Sequence, residues 1–416
     1  MKKNQTGVRK RTDAERVLLS SLGAALFGGV PCEAPKEIMD AAFALGKVHA
    51  VAATAFADVP ADRFSDAAAV PRHLFTVMKN NAAVHAGHRD IDRLLTGAGI
   101  PYCILKGAAS ASYYPVPSLR AMGDVDFLVH EEDVARAAER LSTAGYVPTG
   151  MPHGFHDVYH KGDLSYELHR AVTEFPDTPV GRRVREMLSD TVDTARLTEN
   201  ALCTCRLPDD FHHGLIMLLH MQHHMFAVGI GLRHLSDFAV FLFRLGEERF
   251  RATLEAPLRE VGLWHFAAAV SAAAHVGLGL PYMSFMAEGM PVAEALLCDI
   301  LDSGNFGRAD DGRLGEGYFL AAVGGDVKNG PVRNLFLSVN GATVHAFPFL
   351  RRWWILRPPF WVFIVLRRVV RVLTGKRKPA HLVSAYRRGR PRRELYRALA
   401  AFEPEGEHPE ERTKPL

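Results

Sequence analysis

The most restrictive stretch of this 416-residue chain is "RAMGDVDFLVH", residues 120–130, where two acids stand one residue apart inside an apolar run. Side chains on a strand alternate faces. Asp124 and Asp126 therefore share one face, while Val125 and Phe127 share the other. Like charges at that spacing repel, so the pair destabilises a strand unless water or a cation offsets it. Any fold for this chain must place that face at a wet edge or at a site.

The surrounding pattern limits the choice. Residues 12–98 read as helices, broken around "GGVPCEAPKE" and "DVPADRFSD", with "HLFTVMKNNAAVHAGHRDIDRLLTGAGI" as one long amphipathic helix. Thr12-x-x-Glu15 is a capping box that opens the first of them. "YCIL" reads as a short buried strand stopped by Lys106-Gly107, and "AASASYY" as a turn into a helix broken near Pro115 and Pro117. "DVDFLV" is the second strand, and "EEDVARAAERLSTAGY" a helix with acids in its first turn, as the helix dipole favours. "GFHDVYH" and "LSYELHR" form a hairpin through Lys161-Gly162-Asp163, and "ALCTCRL" is a further strand. From residue 208 to about 298 the period is helical again. The expected fold is α+β: a small mixed sheet with helices over 99–207, a helical N-terminal region over 1–98, a helical domain over 208–300 and a C-terminal region over 301–416.

A third acid enters through the hairpin. On "LSYELHR", Ser165, Glu167 and His169 share one face, and Tyr166 and Leu168 point inward. If the hairpin lies beside "DVDFLV", Glu167 joins Asp124 and Asp126. Three clustered carboxylates make little sense as structure, but they suit one or two Mg2+ ions that keep positions open for phosphate oxygens. Lys106-Gly107, a cation and a flexible backbone at a strand end, suits phosphate itself.

These residues resemble a known family. "YCILKGAASASYYPVPSLRAMGDVDFLV" is similar to the signature of the polymerase-beta-like nucleotidyltransferase superfamily, and in particular to its bacterial branch described only as uncharacterised. In that branch a strand ending Leu-Lys-Gly is followed by Tyr-Pro, an Arg, the acid pair and a strand reading Glu-Leu-His. Here these are Leu105, Lys106, Gly107, Tyr114, Pro115, Arg120, Asp124, Asp126, Glu167 and His169. The likeness runs over about residues 65–245. One departure is that Ala108 and Ala109 follow Gly107, leaving Ser110 or Ser112 to supply a hydroxyl.

The resemblance implies a polymerase-beta-like core and Mg2+-dependent transfer of a nucleoside monophosphate from a nucleoside triphosphate to an acceptor hydroxyl. It implies Asp124, Asp126 and Glu167 as catalytic metal ligands for two ions, and Lys106, Gly107, Ser110 and Arg120 as the nucleotide site. His169, His220, His224 and Arg233 are candidates for the acceptor pocket, with Arg233 and Asp237 spaced as a helical-turn ion pair. Transfer of the gamma-phosphoryl group instead, or a non-catalytic docking role, are the alternatives.

Charge is unevenly distributed. Fifteen Lys/Arg and one acid lie between Phe347 and Arg397, a segment charge of +14 in a chain of +4, so the remainder carries −10. The aromatic and basic run "FPFLRRWWILRPPFWVFIVLRRVVRVLTGKRK" is too short in its apolar part to span a bilayer. It suits an anionic membrane surface, packing against the body, or, less well, nucleic acid. Five cysteines without metal-ligand spacing, Cys203 and Cys205 among them as packing residues, point to a cytoplasmic protein, peripheral at the inner membrane face if the tail binds lipid.

Overall fold

The computed structural model describes residues 9–149, 154–173, 178–199, 204–227, 229–307, 331–373, 392, 394–396 and 398–399. Cys203 and most of the basic run after Leu373 lie outside these residues. Helices α1 (Asp13–Phe27), α2 (Lys36–Val48) and α3 (Ala52–Phe56) precede the long α4 (Ala69–Gly97). The Thr12 capping box forms as expected: Thr12 accepts from the Glu15 amide, and Glu15 accepts from the Thr12 amide at 2.7 Å.

The sheet strands are β1 (Tyr102–Ile104), β2 (Val125–Val129), β3 (Val147–Thr149), β4 (His156–Lys161) and β5 (Leu164–His169), ordered β1-β2-β5-β4-β3. Only the β2/β5 pair is parallel, so the sheet is mixed. Short α5 (Ala108–Ala111) and amphipathic α6 (Val134–Thr143) connect the first strands. Gly107 turns from β1 into α5 at φ +63°, a conformation that favours glycine.

After α7 (Pro179–Met187) comes a separate antiparallel ribbon, β6 (Arg196–Glu199) with β7 (Thr204–Leu207). The expected "ALCTCRL" strand is thus present in its described part, but it pairs outside the main sheet. The remaining helices are α8 (Asp210–Ala227), α9 (Leu232–Leu245), α10 (Glu247–Phe250), α11 (Ala256–Glu260), α12 (Trp264–Leu278) and α13 (Met290–Ser303). Two more, Pro331–Ala346 and Arg357–Leu373, pack on each other, with the Phe336 and Trp361 rings 4.8 Å apart. Among the described residues no helix is long and apolar enough to cross a membrane.

Two cores result. Val125, Phe127, Tyr166 and Leu168 face one side of the sheet, and α4 covers them with Val84, Ile91 and Leu95. The approach is close: a Cβ on Gly87 would lie 2.9 Å from the Tyr166 hydroxyl and 3.0 Å from a Val125 methyl. The second core joins α1–α3 to the helices after residue 210, so the N-terminal and later helices close on each other. Burying one sheet face under α4 leaves the other, which carries the acids, turned to the later helices.

Candidate active site

Register brings the acids together. Asp126 of β2 stands opposite Glu167 of β5 in the parallel pair, and Asp124 lies just before β2. Carboxylate oxygens of Asp124, Asp126 and Glu167 lie within 4.8 Å of one another. Hard oxygen donors at that spacing fit a divalent cation such as Mg2+.

The two aspartates differ sharply. Asp126 is 2% exposed, whereas Asp124 is exposed. Lys106 Nζ lies 2.9 Å from Asp126 Oδ1, and His169 Nε2 lies 3.3 Å from the same oxygen. Burial alone would raise the Asp126 pKa, but Lys106 and His169 outweigh it and hold the carboxyl well below the usual range. Asp124 goes the other way, pushed up chiefly by the neighbouring Asp126 charge. For His169, burial lowers the pKa, but its bonds to Asp126 and Glu167 more than reverse this. Lys106 is therefore a cation set against the acid face, and His169 bonds both Asp126 and Glu167.

The loop before Asp124 is fixed from two sides. Asn81 of α4 donates to the Ser118 and Arg120 carbonyls at 2.7 and 2.9 Å and accepts from the Met122 amide at 3.0 Å. Asn80 donates to the Met122 carbonyl at 2.6 Å. From α9, Asp237 takes a two-pronged bond from Arg120, at 3.0 and 2.6 Å, and a third from the Tyr114 hydroxyl at 2.8 Å. Arg120 is only 6% exposed, pairs with Asp237, and is not among the residues that line the cleft beside the acids.

Arg233 does not take the Asp237 partner that helical spacing suggests. It donates to the Ala121 carbonyl at 3.4 Å and lies 5.2 Å over the Phe306 ring. Ser110 Oγ lies 3.4 Å from His213 Nε2, while Ser112 donates to the Ala109 carbonyl. Neither serine is among the residues that line the cleft beside the acids.

A cleft of about 240 Å³ runs past the acids, lined by Lys106, Asp124, Glu167 and His169, with His220, His223 and His224 on its α8 wall. His220 and His224 rings lie 4.3 Å apart, and Phe306 packs 4.8 Å from His224 and 4.9 Å from His234. Burial, reinforced by nearby cations, lowers the pKa of His220 and His234, and brings that of His224 down to about 3. This wall is thus neutral at physiological pH. A separate cavity of about 460 Å³, lined by Tyr113, Arg196, His213 and Arg249, contains none of the three carboxylates.

Sequence reasoning missed Asn80, Asn81, His156, Phe306 and the true partner of Asp237. The available signal was Asn81, a polar residue on the apolar stripe of a helix.

A model of the family described as uncharacterised nucleotidyltransferase matches residues 36–279. No curated protein matches the chain. Among solved structures, the solution structure of the antibiotic-resistance factor ANT(2'')-Ia is 13% identical. That match covers 42% of this chain and 91% of that one, with a TM-score of 0.33. The crystal structure of ANT(2'')-Ia in complex with adenylyl-2''-tobramycin is 14% identical, covering 42% and 95%, with a TM-score of 0.32.

Proposed function

The chain belongs to the uncharacterised nucleotidyltransferase family, and from that premise we propose Mg2+-dependent transfer of a nucleoside monophosphate from a nucleoside triphosphate to an acceptor hydroxyl. One observation carries the reading: the Asp126–Glu167 register pair, with Asp124 beside it on a cleft. Asp124, Asp126 and Glu167 would hold the metal. Bound Mg2+ would supply charge neutralisation on the phosphates and activation of the acceptor oxygen.

The chain's own residues do the rest. Lys106, held by Asp126 at the cleft wall, offers its ammonium to phosphate oxygens, and Gly107 lets the backbone come close. His169, between Asp126 and Glu167, fixes both carboxylates in orientation. Neutral His220 and His224, with Phe306, give the acceptor an aromatic wall without a competing positive charge. Asn80, Asn81 and the Arg120–Asp237 pair keep the Asp124 loop from drifting.

Labelled triphosphates with cell extract as the acceptor source test this directly. Label at the alpha position is expected on the acceptor, with pyrophosphate released. Label arriving from the gamma position would establish phosphoryl transfer instead.

We also infer peripheral attachment to anionic membrane through the region after Phe347. Trp353, Trp354 and Ile355 are 60%, 67% and 72% exposed, and Val362, Phe363 and Leu366 are exposed on the helix that follows. Exposed aromatic surface of this extent, set among arginines, needs a partner, and the sign of the charge selects an anionic surface. Phe360 and Trp361, by contrast, pack inward on Phe347 and Phe336.

The segment's far end belongs to the body: Tyr396 is fully buried and donates to the Met225 carbonyl at 2.9 Å, and Arg392 pairs with Asp299 at 3.2 Å. Truncation before Phe347 would therefore open the core, and point variants are the better probe. Wild type should sediment with anionic vesicles and be released by salt, at about 1 kcal/mol for each basic residue near the surface. Trp353→Ala with Trp354→Ala should reduce sedimentation without lowering the melting temperature. Competition by nucleic acid with a steep salt slope would point to that partner instead.

A further inference from the structure

The β4–β5 hairpin carries a second ligand set beside the carboxylate face. His156 opens β4 directly opposite His169 of β5, and Val158 stands opposite Glu167. Alternation along both strands puts His156, Glu167 and His169 on one face. One ligand atom from each lies within 4.8 Å of the others. Glu167 Oε2 is 3.9 Å from His156 Nε2 and 3.2 Å from His169 Nε2. Tetrahedral coordination with metal–ligand bonds of about 2.0–2.1 Å sets ligand atoms about 3.3 Å apart, close to this spacing.

The imidazoles are held as ligands are held. His169 Nδ1 lies 3.2 Å from the Ala171 carbonyl oxygen, which only accepts. Nδ1 must therefore carry the proton in that bond, and Nε2 is aimed at Glu167 and Asp126. A backbone carbonyl behind the second ring nitrogen is the usual support of a metal-binding histidine. The His156 and His169 rings stack 5.0 Å apart, and Phe155 packs 4.5 Å from His156, which limits rotation. All three ligands line the cleft, so a fourth coordination position would open there.

We propose that His156, Glu167 and His169 bind a borderline transition-metal ion, Zn2+ by ligand class, at a site distinct from the all-oxygen Asp124/Asp126/Glu167 set. Imidazole nitrogens suit Zn2+ and are poor ligands for Mg2+, so the two sets select different ions. Glu167 belongs to both, which couples occupancy of one to the other.

The test uses metal alone, without nucleotide, so its outcome is independent of whether nucleotidyl transfer is found. Chelator-treated full-length protein is titrated with Co2+, followed by Zn2+. Saturable uptake with the intense visible absorption of four-coordinate Co2+, displaced by Zn2+, is expected. His156→Gln and His169→Gln should each weaken uptake at least ~10-fold, the lower end of losses seen even for supporting residues. Asp124→Asn should leave it unchanged. Should a histidine variant fail to fold, the wild-type Co2+ spectrum still decides, since an all-oxygen octahedral site absorbs weakly. Weak octahedral absorption, no saturable uptake, or equal loss in Asp124→Asn would overturn the proposal.

Discussion

Asp124→Asn is expected to lower nucleotidyl transfer on the order of a thousandfold, as for loss of a group aimed at transition-state charge, while raising the melting temperature of metal-free protein. Asp124 is exposed and its pKa is held up by the Asp126 charge, so its ionised form opposes folding at neutral pH. Asparagine keeps the shape and removes the repulsion. Asp126→Asn should also abolish transfer but should destabilise by about 1–3 kcal/mol, because Lys106 and His169 lose the buried anion they share.

The pH dependence follows from the same asymmetry. Since the Asp126 pKa is depressed in the fold, its stabilisation is present above its unfolded value and is lost as pH falls toward the folded one. In calorimetry with and without Mg2+, only the wild type should be stabilised by the ion. If the two variants melt alike, or if Asp124→Asn keeps its transfer activity, the carboxylates are not a metal site.

The contrast between these aspartates marks how far the sequence could be read. Period-two alternation put Asp124 and Asp126 on one face, and Glu167 and His169 on another strand's face, without any structure. What alternation cannot supply is pairing between strands, and here a single parallel pair among antiparallel ones joins the acids. β3 was not legible because all three residues, Pro148 among them, are exposed at the sheet edge and carry no burial pattern. β6 likewise pairs only with β7, in a ribbon apart from the main sheet.

Local logic failed where distant residues compete for the same group. Spacing on α9 offers Asp237 to Arg233, one turn away, yet Arg120 and Tyr114 take it from more than a hundred residues earlier. Likewise composition could not decide between a membrane surface and packing on the body for the basic segment, and it is Arg392 and Tyr396, near its far end, that fold back onto Asp299. In both cases burial of a charge with a shaped partner outweighs proximity along the chain.

That buried pair yields the other large effect. Asp237→Leu should destabilise the protein by about 3–5 kcal/mol, because it leaves the Arg120 guanidinium enclosed without its anion. Arg120→Met should cost a comparable amount by stranding Asp237. The double variant Arg120→Met with Asp237→Leu should recover much of the loss, since apolar replacements of similar size remove both desolvation penalties. Urea unfolding of the four proteins closes the cycle, and a coupling of a few kcal/mol is expected for residues sharing two hydrogen bonds. Additive losses below about 1 kcal/mol each would mean that solvent reaches the pair and that the loop before Asp124 does not depend on it. Activity separates the two roles of Arg120. A stable double variant that still transfers nucleotide shows Arg120 to be a positioning residue, whereas a stable but inactive one returns it to the nucleotide site.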